Sequence, residues 1–246
     1  MTIKSEIIEK LSHAKTVAVL TGAGISAESG IKTYRDPDGL WAKLNPQELA
    51  SMKGFMANPK VVLEWYNLRR ETVEKALPNP GHYALAEMEN MFCEFKLITQ
   101  NIDRLHQRSG SKNVVELHGN IVENKCLDCE SPYYEEFPAV LTELPRCKKC
   151  GGLIRPAVVW FGENLPEEAL SQAEKAARKC DVFLCIGTTA EVYPAANIPL
   201  YAKDNGAYLV EINPNETVLT PYVDARIQAP AGVALPEILN QLKIEN

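Results

Sequence analysis

The stretch from Lys96 to Asn120, KLITQNIDRLHQRSGSKNVVELHGN, holds the densest group of side chains able to act on a ligand. Its apolar run Leu97-Ile98-Thr99 reads as a buried strand, and Gln100, Asn101, Asp103 and Arg104 follow where that strand runs out. A second apolar run, Val114-Val115-Glu116-Leu117, delivers His118 with Gly119 directly behind it. In an open α/β sheet, groups beyond the carboxyl ends of the strands line the ligand crevice. The stretch therefore offers an amide, a carboxylate and an imidazole at one sheet edge. An imidazole titrates near neutral pH, which suits it to take or give a proton. The plainer alternative makes Asn101 and Asp103 helix caps and His118 a satisfied turn histidine. This stretch alone does not separate the two.

The second chemical constellation is cysteine. Cys126-Leu127-Asp128-Cys129, a gap of 17 residues and then Cys147-Lys148-Lys149-Cys150 form a C-x₂-C…C-x₂-C arrangement within the zinc spacing range. Each pair chelates from a tight turn, and four thiolates complete a tetrahedron with no open position. A Zn²⁺ held this way is structural, not catalytic. The alternative is two redox pairs or loose thiols. The other three cysteines, Cys93, Cys180 and Cys185, lie in apolar settings and are expected as core thiols.

These groups need a scaffold, and the chain supplies strands that end in small or polar residues. Residues 3–12 place Ile3, Ile7, Ile8 and Leu11 on one helical face. The β-branched run Thr16–Thr21 then meets Gly22-Ala23-Gly24-Ile25-Ser26-Ala27, where glycines would let a backbone approach phosphates at a helix start. No acidic residue follows near twenty positions on, where a dehydrogenase would hold its ribose. The polar, turn-rich run Lys32–Trp41 is expected as a loop over the site. Residues 46–76 are helical in pattern with a break at Asn58-Pro59, and within them Tyr66 and Arg69 share a face. From spacing alone, a core tyrosine beside a solvated arginine explains that pair better than a binding role. Pro78–Gly81 is a second break, and His82 begins the next helix in a structural role.

After the cysteines, Val158-Val159-Trp160-Phe161 with Gly162-Glu163 reads equally as a buried strand or as an edge open to an extended peptide. A helix over 167–179 leads to a core strand over 181–186 ending in Gly187-Thr188-Thr189. Residues 207–212 form another strand, ending in Asn213-Pro214-Asn215. Residues 226–229 form a further one, leading to Ala231 at the head of the last helix.

Composition excludes several classes. A chain of 246 residues with 46% hydrophobic residues supports a sizeable core. A net charge of −6 gives no basic footprint for nucleic acid. No apolar run approaches the roughly 18 residues of a membrane span. The first eleven residues, MTIKSEIIEKL, lack a signal-peptide core, and seven cysteines, an odd number, do not suggest a disulfide framework. A reducing cytoplasm is the expected compartment.

Taken together, the pieces resemble the sirtuins, the NAD-dependent protein lysine deacylases. The resemblance rests on Gly22-Ala23-Gly24-Ile25-Ser26 with Ser29-Gly30-Ile31, on Thr99-Gln100-Asn101-Ile102-Asp103, on His118-Gly119 and on the four cysteines. Val158-Val159-Trp160-Phe161-Gly162-Glu163, Gly187-Thr188 and Ile212-Asn213 complete it, so it runs through nearly the whole chain in order. Two departures stand out. Lys32 replaces the family's usual proline, ahead of a Thr33 that fits the pattern, and Tyr34-Arg35-Asp36 replaces Phe-Arg-Gly.

The resemblance implies an α/β fold: a Rossmann-like parallel sheet with helices on both faces, plus a small domain made of a zinc ribbon and a helical insertion. It assigns residues 1–31, 77–121 and 158–246 to NAD binding, 32–76 to the cofactor loop and helical part, and 122–157 to the ribbon. It implies that nicotinamide leaves ribose as the acyl-lysine oxygen attacks, giving an alkylamidate. His118 then acts as base, and the acyl group departs on ADP-ribose. NAD would be held by Gly22, Ala23, Gly24, Ser26, Tyr34, Arg35, Trp41, Gln100, Asn101, Ile102 and Asp103. Gly187, Thr188, Thr189, Asn213, Pro214, Asn215 and Ala231 complete that set. Val158, Phe161, Gly162, Glu163 and Val192 would bind an acyl-lysine peptide as an added strand. Tyr66 and Arg69 resemble the Tyr-x-x-Arg pair of sirtuins that accept malonyl- and succinyl-lysine. The partners so implied are acyl-lysine proteins or peptides, with the enzyme a monomer, away from membranes and nucleic acid.

Overall fold

The computed structural model describes residues 3–31, 49–135, 137 and 141–245. Tyr34, Arg35 and Trp41, with Lys32 and Asp36, lie outside the described residues. Six parallel strands form the main sheet: β1 (Thr16–Thr21), β2 (Glu94–Thr99), β3 (Val114–Glu116), β7 (Val182–Ile186), β8 (Tyr208–Ile212) and β9 (Ala225–Ile227). Their order is β3-β2-β1-β7-β8-β9. The chain winds outward from β1 to β3, then crosses to the other side of β1 and winds outward again. The strand order therefore reverses between β1 and β7, the place where such sheets bind ligands.

Alternation along β1 explains why helices cover both faces. Val17 and Val19 pack with α1 (Ser5–His13), α5 (Pro80–Met88) and α9 (Ala231–Glu245). Ala18 and Leu20 pack on the opposite side with α7 (Glu167–Lys179) and α8 (Ile198–Asp204). The expected helix over 167–179 is present with those ends. Cys180 and Cys185 are buried as expected, but Cys93 is exposed, because it lies in the turn before β2 and not in the strand itself.

A second, antiparallel sheet has the order β5-β4-β6, from β4 (Gly119–Cys126), β5 (Pro132–Tyr133) and β6 (Ile154–Val158). Helices α3 (Met52–Ala57) and α4 (Pro59–Lys75) pack on it through Phe55, Val62, Leu63, Trp65 and Tyr66 against Ile121, Val158 and Trp160. Two separate sequence insertions thus share one core. The break between α3 and α4 has a local cause: Asn58 accepts from the Val61 amide at 3.2 Å, and Pro59 occupies the first helical position. The run from Val158 to Phe161 is not one strand. Pairing with β4 stops at Val158, and Phe161 instead makes an isolated parallel bridge to Ser51. The remaining short helices, α2 (Ala23–Ala27) and α6 (Leu105–Arg108), follow β1 and β2 and frame the strand ends. Among the described residues, no helix is long and apolar enough to cross a membrane.

Candidate active site

The turn after β1 lies directly on the turn after β7. The Gly22 amide donates to the Ile186 carbonyl at 2.9 Å, and the Gly24 amide donates to that of Gly187 at 2.8 Å. A Cβ at Gly22 would come within 2.7 Å of the Thr188 side chain, and one at Gly24 within 2.7 Å of the Gly187 backbone. Both positions therefore require glycine for the approach itself, independently of any ligand. Ala23 opens α2 between them.

Beyond β2 the polar residues play separate roles. The Asn101 side-chain amide donates to the Gly22 carbonyl at 3.0 Å and to Ser26 Oγ at 3.1 Å. Ser26 Oγ in turn donates to Asp103 Oδ2 at 2.7 Å. The other Asp103 oxygen accepts from the Leu105 amide at 2.9 Å, holding the first amide of α6 just ahead of its N-cap, Arg104. Asn101 caps nothing and is aimed across the crevice. Burial pushes the Asp103 carboxyl up, against the Leu105 amide and the Ser26 hydroxyl, which favour the ionised form. Ile102 is half-buried, and its carbonyl accepts from the Ile121 amide at 2.9 Å, tying this loop to β4.

Gln100 connects three segments. Its amide donates to the Thr21 carbonyl at 2.9 Å, and its side chain donates to Thr188 Oγ1 at 3.0 Å. Its carbonyl lies 2.9 Å from His118 Nδ1. A carbonyl can only accept, so Nδ1 carries the hydrogen and Nε2 keeps its lone pair. That is the tautomer a base needs. Burial pushes the His118 imidazole down, partly opposed by the Gln100 carbonyl. The residue behind it is fixed as well: Gly119 has φ +66°, and a Cβ there would stand 2.0 Å from the Ala157 carbonyl oxygen. The His118 carbonyl accepts from the Val159 amide at 2.9 Å, which sets the imidazole beside the end of β6.

On the far side of β7, the Asn213 side chain donates to the Thr188 carbonyl at 3.1 Å and accepts from the Asn215 amide at 3.0 Å. Thr189 is half-buried beside Thr188, whereas Pro214 and Asn215 are exposed. Ala231 begins α9 next to Gly81, where an added Cβ would meet the Ala231 backbone at 3.1 Å. The strand ends thus gather Gly22, Ala23, Gly24, Ser26, Gln100, Asn101, Asp103, His118, Gly187, Thr188 and Asn213 by direct contacts.

The candidate substrate residues are placed less uniformly. Val158 is buried, while Phe161 is 45% and Val192 41% exposed. Gly162 has φ +88°. Glu163 is a structural residue: it pairs with the buried Arg155 and accepts from the Trp160 amide at 2.8 Å. Arg155 also donates to the Val158 carbonyl at 2.8 Å and stacks on the Trp160 ring at 3.4 Å. This buried arginine escaped sequence reasoning, although a charge inside the run GLIRPAVVW was a signal for it. Tyr66 is fully buried, and its hydroxyl oxygen accepts from Trp160 Nε1 at 2.9 Å. Arg69 lies one turn on, its guanidinium 4.9 Å from the Trp65 ring.

The four cysteine sulfurs of residues 126, 129, 147 and 150 lie within 4.8 Å of one another. Cys126 and Cys150 Sγ are 3.4 Å apart, and Cys129 and Cys147 Sγ 3.7 Å. Those separations are too long for disulfides, which need about 2.05 Å. A tetrahedron with Zn–S bonds of about 2.3 Å spaces its sulfurs by about 3.8 Å, so the donor set fits Zn²⁺. The Lys149 amide donates to Cys147 Sγ at 3.4 Å, as suits a thiolate ligand.

The arrangement defines a class: a nucleotide-type crevice at a strand-order reversal, with a histidine of fixed tautomer at one wall and a four-cysteine ribbon beside it. The profile of the Sir2 family matches residues 22–194, and the chain belongs to that family. It is 51% identical over 228 residues to an NAD-dependent protein deacylase of Aquifex aeolicus (strain VF5), covering 92% of this chain and 95% of that one. A solved Sir2 homolog–NAD complex is 42% identical, covering 99% of this chain and 95% of that chain, with a TM-score of 0.94. A Sir2–p53 peptide–NAD⁺ structure is 33% identical, covering 99% of this chain and 100% of that chain, with a TM-score of 0.87.

Proposed function

We propose that this protein is an NAD-dependent protein lysine deacylase, releasing nicotinamide, O-acyl-ADP-ribose and free lysine. The observation that carries the reading is His118, held by Gln100 as the Nδ1–H tautomer next to the Asn101–Ser26–Asp103 cluster, in a chain of the Sir2 family. NAD supplies the reactive ribose carbon when nicotinamide departs. The chain's own residues hold and orient. Gly22, Ala23 and Gly24 offer backbone to the pyrophosphate, and Asn101 and Asp103 offer an amide and a carboxyl to nicotinamide and ribose. Gly187, Thr188, Asn213 and Ala231 take the adenosine half. His118 Nε2 removes a proton from a ribose hydroxyl. Holding the reacting groups in line is where most of the acceleration arises.

The acyl-lysine peptide adds as a strand between residues 158–161 and 191–193. The exposure of Phe161 and Val192 and the edge position of β6 support that route. At the pocket floor, Arg69 and Tyr66 bind the carboxylate of a succinyl or malonyl group. Their spacing of one helical turn on α4 supports this, and a hydroxyl that accepts from Trp160 can still donate one bond. The alternative is plain deacetylation, with Tyr66 and Arg69 not used for acidic acyl groups. We also place the protein in a reducing cytoplasm, on the ground that four cysteine sulfurs converge at metal-ligand spacing and not as disulfides.

The test is NAD-dependent nicotinamide release from matched succinyl-lysine and acetyl-lysine peptides, with kcat/KM for each. Release from either peptide supports the deacylase reading, and release from neither rejects it. Arg69→Met is expected to lower succinyl turnover by about tenfold or more while sparing acetyl turnover, since a charge-assisted bond is worth roughly 1.5–3 kcal/mol. Equal losses on both would leave plain deacetylation.

A further inference from the structure

Thr21 and Thr99 close β1 and β2 and sit opposite each other in register. Both are buried, and the Thr21 hydroxyl donates to Thr99 Oγ1 at 2.8 Å. Thr99 Oγ1 also accepts the Asn101 backbone amide at 3.0 Å. With its hydrogen committed to Thr99, Thr21 Oγ1 is the acceptor for His106 Nε2, 2.9 Å away. His106 is 1% exposed on α6, the helix whose first amide donates to Asp103. Its ring centroid lies 4.9 Å from that of His82, the two planes tilted by 54°, and His82 accepts the Asn79 amide through Nδ1 at 3.3 Å. Burial keeps His106 neutral, with its pKa well below the ordinary imidazole value, and Thr21 Oγ1 as acceptor selects the Nε2–H tautomer.

Burying three polar side chains in a row beneath a parallel sheet is costly unless they hold something in place. Valine has nearly the shape of threonine and suits a strand, so packing alone does not call for these hydroxyls. What the row reaches is the backbone of Asn101. The side chain of the same residue is aimed by the Gly22 carbonyl and by Ser26. Gly22 directly follows Thr21, so Thr99 through the Asn101 amide and Thr21 through the next residue both bear on one carboxamide.

We infer that His106 is a positioning residue for deacylation: through Thr21 and Thr99 it fixes the Asn101 backbone, and so the carboxamide set against Gly22 and Ser26. This rests on the deacylase reading. His106 touches no substrate and acts entirely through the two hydroxyls.

The experiment compares wild type with Thr99→Val, Thr99→Ser and His106→Leu in steady-state deacylation, with thermal unfolding in parallel. Thr99→Val keeps shape and removes the hydroxyl; Thr99→Ser restores it. Expected is a loss of kcat of about ten- to a hundredfold in Thr99→Val, with peptide KM changed by less than about twofold. Thr99→Ser should recover most of that loss, and His106→Leu, if folded, should match Thr99→Val. Wild-type kcat in Thr99→Val, or equal impairment in Thr99→Ser, overturns the inference. A wild type that releases no nicotinamide from any acyl peptide overturns the deacylase reading itself, and the positioning role with it.

Discussion

His118 carries the most exposed claim in the site, because one ring nitrogen must both be free of protons and be reachable. Its Nδ1–H is committed to the Gln100 carbonyl, so only Nε2 can act. His118→Asn keeps a side chain able to donate to that carbonyl but removes the base. It is expected to fold with wild-type thermal stability and to lose about a hundredfold or more in kcat. Near-normal turnover in that variant would remove His118 from the mechanism. The pH profile follows from the direction of its shift. Burial lowers the folded-state pKa below 6.5 and disfavours the imidazolium. The base is therefore neutral, and active, above that lowered pKa, and is lost as pH falls through it. The acid limb of kcat/KM should lie below pH 6.5; a limb above it would mean that another group titrates. Sequence alone offered His118, Asn101 and Asp103 but left their roles undivided. The division rests on contacts with Gly22 and Ser26 some 75 or more residues away, and spacing does not encode those.

At the scale of elements, legibility followed how local the cause was. The break at Asn58-Pro59, the glycine turn after β1 and the cysteine pairs all come from residues within a few positions, and each stands where its residues indicate. The stretch after β6 was harder to read. Val158 to Phe161 looks like a strand, but Arg155 and Glu163 bind the segment into a loop, with the Arg155 guanidinium over the Trp160 ring. Trp160 then reaches Tyr66 on a helix 94 residues earlier in the chain, a pairing that no periodicity announces. Two predictions belong here. Gly119→Ala must place a Cβ against the Ala157 carbonyl in a left-handed conformation. It should cost about 2 kcal/mol or more and uncouple His118 from β6, read as a lower Tm with a larger loss in kcat. Among the described residues, the ribbon's own buried cluster is Cys126, Cys147 and Ile154, too little to hold it without metal. One zinc per chain is expected by elemental analysis. A strong chelator should lower Tm, and zinc should restore it; a Tm indifferent to chelation would remove the metal from the account of stability.

The whole molecule was legible in outline because β-α alternation with polar strand ends leaves few parallel topologies. The order in which strands lie was not readable: β1 must be known to separate β2 from β7 before the crevice can be located. Once it is, the molecule's response to acid follows from what the sheet covers. His82 and His106 are buried between α5, α6 and the strand ends, and burial pulls His82 down to about 4. The unfolded chain binds a proton at His82 near 6.5, whereas the native protein resists it until about 4. Between those values the unfolded state holds more protons, so global stability falls as pH drops. That separation corresponds to roughly 3 kcal/mol from His82 alone. His106 adds in the same direction, and Asp103, with its raised pKa, runs the opposite way. Denaturant unfolding at pH 7 and pH 4.5 should therefore show wild type losing more stability than His82→Gln, which keeps a polar side chain but cannot titrate. The variant would retain a residual slope from His106. Equal pH slopes in the two proteins would mean that His82 is as easily protonated in the fold as in the open chain. The remaining slope would then belong to His106 and the other groups that both proteins share.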